Sequence, residues 1–238
     1  MTKLTEIAAE LSQSLTPLHF APPVTHVYNP LAYAWNAHRE YLERFASGQK
    51  RILFLGMNPG PFGMAQTGVP FGDPAAVREI LKIDAAIGQP ARPHPKRPVL
   101  GLQSTRGEVS GRRVWAWVEE SWGGVRQFSE QAVIVNYCPL CFMEESGRNR
   151  TPEKLKRAER DALYAACDDA LRRRVDYHEP EWIIGFGAFA ETRAKALFKD
   201  RDVNIGRVLH PSPASPAANR GWAPQADRQI EALGLNQS

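Results

Sequence analysis

The chain has 238 residues, 43% of them hydrophobic, and a formal net charge of +4. That length fits one large domain or two small ones with a sizeable core, and the modest positive charge permits a polyanionic partner without demanding one. No apolar run approaches the roughly 20 residues of a membrane span, and the start MTKLTEIAAELSQSL lacks a secretory signal's basic head and apolar stretch, so a soluble, intracellular protein is expected, in cytoplasm and nucleoid or in a nucleus.

Along the chain, helical spacing first runs from Thr5 to Leu15. A second helix is expected to begin at Asn29-Pro30, where Asn can cap and Pro can take the first helical position, and its residues Leu31, Tyr33, Ala34, Trp35, Tyr41, Leu42 and Phe45 keep that spacing. Four short apolar runs then read as buried strands: Arg51 to Leu55, Ala132 to Val135, Glu181 to Ile184 and Ile205 to Leu209. Between them, Val114 to Trp122, Pro152 to Val175 and Ala188 to Phe198 place apolar residues three or four apart, with charges on the other face. This alternation predicts an α/β fold, a three-layer α/β/α arrangement around a four-stranded, mostly parallel sheet. The Pro-rich stretch from Gln89 to Pro98 reads as a surface loop, and with no linker or repeat a single domain over residues 1–238 is expected.

Three cysteines, an odd number, argue against a disulfide scaffold. Cys138 and Cys141 form one CxxC, but only Cys167 remains to complete a ligand set, so packed structural thiols are expected and no metal or cofactor.

In open α/β sheets ligands bind beyond the carboxyl ends of the strands. Here those ends carry Gly56-Met57-Asn58-Pro59-Gly60, then Asn136, then Gly185-Phe186-Gly187, then His210-Pro211-Ser212-Pro213. The segment GMNPGPFGMAQTGVPFG, Gly56 to Gly72, holds five glycines and three prolines, a contorted but stiff backbone suited to press N–H groups and the Asn58 amide against a ligand. The plainer reading is a tight turn in which Asn58 caps local backbone. Phe71 fits the core as well as a stacking platform. Asn136 closes an apolar strand, where its amide needs partners; it can complement the N3–H and O4 edge of uracil, which cytosine reverses, or serve structure alone. His210 as a lone histidine is more often structural, but it shares the rim with Asn58 and Asn136.

A rival signal is Gly185-x-Gly187-x-x-Ala190, which follows a strand and opens a helix as a dinucleotide fingerprint does. The acidic residue such a site needs at the next strand end is replaced by Leu209-His210-Pro211, and tight strand–helix packing explains the glycines equally well. The basic stretches Arg92 to Arg97 and Arg172 to Arg174 read as solvated surface or DNA contacts. Nucleophile-elbow, HExxH and Walker motifs are absent.

Taken together, these segments resemble the single-strand-selective monofunctional uracil-DNA glycosylase family, within the uracil-DNA glycosylase superfamily. The likeness runs from Val27-Tyr28-Asn29-Pro30 through Gly56 to Gly72, His94 to Leu102, Glu108 to Gly111, Asn136-Tyr137-Cys138-Pro139 and Ser146 to Asn149 to HPSPASPAANRGW at His210 to Trp222. The resemblance implies a monomeric hydrolase acting on DNA that flips uracil out and leaves an abasic site without strand cleavage. It implies that Asn58 places the attacking water and His210 stabilises the departing base. Asn136 would read the uracil edge, Phe71 would stack on its face, and Met57 and Gly60 would line the pocket. Gly60 would leave room at C5 for oxidised uracils such as 5-hydroxymethyluracil, and some relatives also excise deaminated purines. Pro211, Ser212, Pro213 and Ala214, with Asn219 and Arg220, would form the wedge entering the duplex. Many family members carry Arg where this chain has Ala214. A binding module without catalysis and a nucleotide-cofactor enzyme are the rival functions.

Overall fold

The computed structural model describes residues 2–235. In chain order the elements are α1 (Lys3–Leu15), β1 (Val24–Tyr28), α2 (Pro30–Tyr33), α3 (Trp35–Phe45), β2 (Ile52–Gly56), α4 (Met64–Thr67), α5 (Pro74–Glu79), α6 (Val109–Ser121), α7 (Val125–Gln131), β3 (Ala132–Asn136), β4 (Cys141–Glu144), β5 (Asn149–Arg150), α8 (Arg157–His178), β6 (Trp182–Phe186), α9 (Ala188–Leu197), β7 (Asn204–Val208) and α10 (Trp222–Ala232). The four apolar runs pair in parallel in the order β3-β2-β6-β7, so all four carboxyl ends lie on one rim. β2 and β3 are buried at every position, whereas β7, at the edge, exposes Asn204 and Arg207.

Side chains alternate across a strand, so Phe54, Ile184 and Phe186 point to one face and Gly185 to the other. On the first face Phe54 stacks on Phe128 of α7 at 5.8 Å and meets Trp117 of α6 edge-on at 5.5 Å, while Trp117 packs against Trp222 of α10. On the second, α9 lies so close that a Cβ on Gly185 would sit 2.5 Å from the Glu191 nitrogen and 3.1 Å from the Ala190 Cβ. Helices on both faces give the expected three layers, and this packing accounts for the glycine that mimics a dinucleotide fingerprint.

Sequence periodicity missed a second sheet, antiparallel β1-β4-β5. It also ran two helices too far. The helix at Asn29 starts as expected, with Asn29 Oδ1 accepting the Leu31 N–H at 3.2 Å, but it breaks at Ala34 and restarts at Trp35. The Gly68 turn packs onto that break, where an added Cβ would lie 2.7 Å from the Ala34 carbonyl oxygen. Pro152–Lys154 form only a 3-10 turn; Leu155 is extended and buried, and α8 begins at Arg157. The three cysteines are free and buried.

One of the basic stretches is not all surface. Arg174 of α8 is 5% exposed and donates to the Asn136 carbonyl at 3.3 Å, because the helix turns this residue towards β3 while Arg172 stays exposed. In the Pro-rich loop His94 is likewise buried, its Nδ1 accepting from the Lys96 N–H and its ring packed on His26.

Candidate active site

β2 and β3 end side by side, and the chain keeps them stitched past the last ladder pair. Tyr137 N–H donates to the Gly56 carbonyl and Cys138 N–H to that of Met57, both at 2.9 Å. Asn58 extends the seam: its Nδ2 donates to the carbonyls of Leu140 at 3.1 Å and Pro59 at 3.2 Å. Both amide hydrogens are thereby committed, and the oxygen remains as the acceptor Asn58 offers to the cavity it lines.

Asn136 sits at the end of β3, 6% exposed. Its Nδ2 donates to the Met64 sulfur at 3.3 Å, a weak acceptor that leaves the amide's stronger hydrogen-bonding capacity for a ligand. Gly56 makes the close approach possible, since a Cβ there would overlap Asn136 Oδ1 and lie 2.6 Å from the Phe71 ring.

Phe71 is held in a left-handed backbone conformation, φ 52°, that costs a residue with a side chain about 1–3 kcal/mol. Its surroundings enforce it. The Phe71 carbonyl accepts from Trp115 Nε1 at 3.1 Å and from the Asp73 N–H at 2.8 Å, and Gly111 lies so near that any Cβ there would collide with the same oxygen. The ring packs edge-on against Phe186 at 5.0 Å and faces the His210 ring at 6.5 Å.

His210 follows β7 by two residues. The residue before it is pinned by α10, with Leu209 N–H donating to Gln229 Oε1 at 2.7 Å and Trp222 Nε1 donating to the Leu209 carbonyl at 2.6 Å. Ser212 N–H donates to His210 Nδ1 at 3.0 Å, so the neutral ring carries its hydrogen on Nε2. Burial pushes the His210 pKa below the usual histidine range, which keeps the ring neutral at pH 7 and Nε2–H a donor.

Met57, Asn58, Gly60, Phe71, Asn136, His210 and Ser212 line one cavity of about 220 Å³ at the strand rim. The residues singled out for the pocket are thus brought together from β2, β3 and β7. The proposed wedge divides. Pro213, Ala214, Asn219 and Arg220 are exposed, but Pro211 is buried, its carbonyl accepting from Arg113 Nη1 of α6 at 2.9 Å. Asn219 spends its amide on the segment itself, donating to the Pro213 carbonyl and accepting from Arg113 Nη2, both at 2.9 Å. Pro211 and Asn219 therefore brace the segment, leaving Pro213, Ala214 and Arg220 as its outward face.

Sequence reasoning missed Pro59, Met64, Glu108, Ser110, Asn149 and Thr151, which complete the lining, and the bracing Arg113. Glu108 and Asn149 stood inside motifs quoted for resemblance, but nothing in a glutamate before an apolar helix or in a loop asparagine announces a cavity. Burial, and secondarily the nearby Asp73 carboxylate, push the Glu108 carboxyl up to about 7. Beside the cavity loop, Phe62 lies under two guanidinium groups, Arg106 at 3.8 Å and Arg97 at 5.4 Å from the ring centre.

Residues 42–230 match the model of the Uracil DNA glycosylase superfamily. A "Single-strand selective monofunctional uracil-DNA glycosylase" of Rattus norvegicus is 45% identical over 227 residues, covering 94% of this chain and 82% of its own. Its counterpart in Mus musculus is 44% identical, with 94% and 81% covered. Among solved structures, Pedobacter heparinus SMUG2 superposes with a TM-score of 0.68 at 20% identity, over 96% of this chain and 97% of its own, a likeness of fold.

Proposed function

The chain belongs to the uracil-DNA glycosylase superfamily, and from that premise we propose that it excises uracil from DNA by hydrolysing the N-glycosidic bond, leaving an abasic site. The observation that carries the reading is the convergence of Asn58, Phe71, Asn136 and His210 on one cavity. Extruding a base from the stack costs a few kcal/mol, which a stacking surface and a wedge offset. Phe71 supplies the stacking surface for the extruded ring. Asn136 offers an amide that matches uracil's N3–H and O4 and mismatches cytosine. The Asn58 oxygen accepts a hydrogen from the attacking water and orients it towards C1′; as an amide it takes no proton. Nε2–H of the neutral His210 donates to the uracil O2 as negative charge gathers there, which stabilises the transition state more than the ground state.

Gly60 lines the pocket without a side chain, which supports a wider substrate range of C5-modified uracils such as 5-hydroxymethyluracil, with deaminated purines as a further class to test. Pro213, Ala214 and Arg220 fill the gap left in the duplex, and Arg97 and Arg106, stacked on Phe62, meet the phosphates beside it. A uracil-containing oligonucleotide treated with the protein and then alkali should be cut at the uracil in single- or double-stranded form. Asn58→Ala and His210→Ala should each lower the single-turnover rate on the order of 10²-fold or more. Cleavage no greater than background with the unaltered protein defeats the proposal.

A further inference from the structure

We propose that Glu108 is a further catalytic residue, the base that takes the proton from the attacking water. The inference rests on the uracil-pocket reading above. In the hydrolysis the C1′–N1 bond breaks and its electron pair leaves on uracil, the water oxygen bonds to C1′, and one water proton must pass to a base. Asn58 is an amide and cannot hold it. The one lone pair of the neutral His210 ring, on Nδ1, already accepts the Ser212 N–H, and its other nitrogen is a donor. Among the cavity's lining side chains that leaves the Glu108 carboxylate.

Its placement is built rather than incidental. Asp73 Oδ1 accepts the Glu108 backbone N–H at 2.6 Å and fixes the start of α6. The carboxyl then lies on the loop that begins at Asn58, where two glycines make room for it. A Cβ on Gly60 would be 3.4 Å from Oε1, and one on Gly63 would be 2.7 Å from Oε1 and overlap Oε2. Among the described residues no donor holds the carboxyl, so it is free to face the cavity. The titratable groups around it are Asp73 before α5, Cys141 on β4, whose thiol burial keeps neutral, and His210 across the cavity. Lifted to about 7, the carboxyl is ionised in a large share of molecules at neutral pH and is a stronger base than an ordinary glutamate.

The test is the single-turnover rate on a uracil oligonucleotide from pH 5.5 to 9 for the unaltered protein, Glu108→Gln and Glu108→Asp, with thermal melting and binding to the abasic product followed alongside. The unaltered rate should rise through an ionisation near 7 and then level off. Glu108→Gln should lose that rise and fall about 10²-fold at the plateau, with little difference at pH 5.5 and unchanged product binding, and Glu108→Asp should retain a rise. An unaltered profile without an ionisation near 7, a Glu108→Gln profile that runs parallel to it, or an unchanged rate overturns the role of Glu108 while uracil cleavage itself stands. If the unaltered protein cuts no uracil, the reading beneath fails first.

Discussion

The two halves of the rim are built differently. On the pocket side, Asn58, Phe71 and Asn136 are each fixed by backbone contacts from a neighbouring strand or loop, and Phe71 is forced into a conformation it would not choose. On the wedge side, Ser212 to Arg220 lies mostly exposed and is shaped largely by side-chain bonds, chiefly the fork of Arg113. The contrast fits the roles proposed for each: a near-attack geometry tolerates little displacement, whereas a segment that replaces a base in variable DNA gains from being adjustable.

Acid should weaken the rigid half and the scaffold beneath it. His38 holds the Gly68 carbonyl at 2.8 Å, within the loop that carries Phe71, and His178 holds that of Gly48 at 2.9 Å. Burial lowers both to about 4. Since the unfolded chain takes up these protons first, their contribution is complete above the ordinary value near 6.5 and is lost as pH falls towards 4, ~3 kcal/mol each. Glu108, raised to about 7, runs the opposite way and offsets one of them. The net loss of ~3 kcal/mol between pH 7 and 4 is measurable by urea unfolding, and a flat profile contradicts it. His210 and His26, also lowered chiefly by burial, add to the loss in the same direction.

Gly111→Ala attacks the same half sterically. It drives a methyl into the Phe71 carbonyl and should lower stability by ~1–3 kcal/mol while slowing excision equally on single- and double-stranded uracil DNA. Arg113→Ala should sharpen the contrast, because it unfastens only the wedge: about tenfold slower on duplex, ~1.4 kcal/mol, with the single-strand rate nearly unchanged. Equal losses on both forms would show that the segment serves the pocket instead. The smallest effect is expected of Ala214→Arg, a gain in duplex product retention worth ~1 kcal/mol or less, as for an exposed ionic contact, read from the product dissociation rate.

The legible parts of the sequence were those where local pattern and final environment agree. β2, β3 and β6 are buried on both faces and read as unbroken apolar runs, and the polar residues after β2, β3 and β7 exposed the rim with Asn58, Asn136 and His210. The antiparallel sheet was not legible, because Val24–Tyr28 finds its partner only at Cys141–Glu144, more than a hundred residues on, and most of its positions are half-buried. Glu108 looks like any solvated residue before a helix until the Gly60 to Gly63 loop folds over it. Arg174 sat in a run of arginines whose neighbours are surface residues, and only the rotation of α8 turns it inward.

One helix touches both halves. α6 presses Gly111 against the Phe71 carbonyl and, two residues on, holds the wedge through Arg113. A helix keeps its rise per residue, so the separation between the proposed base receptor and the proposed plug is set by a rigid gauge rather than by the loops. Such a gauge would measure each nucleotide that swings outward, because a plug seated one step away along the duplex leaves the everted base out of reach.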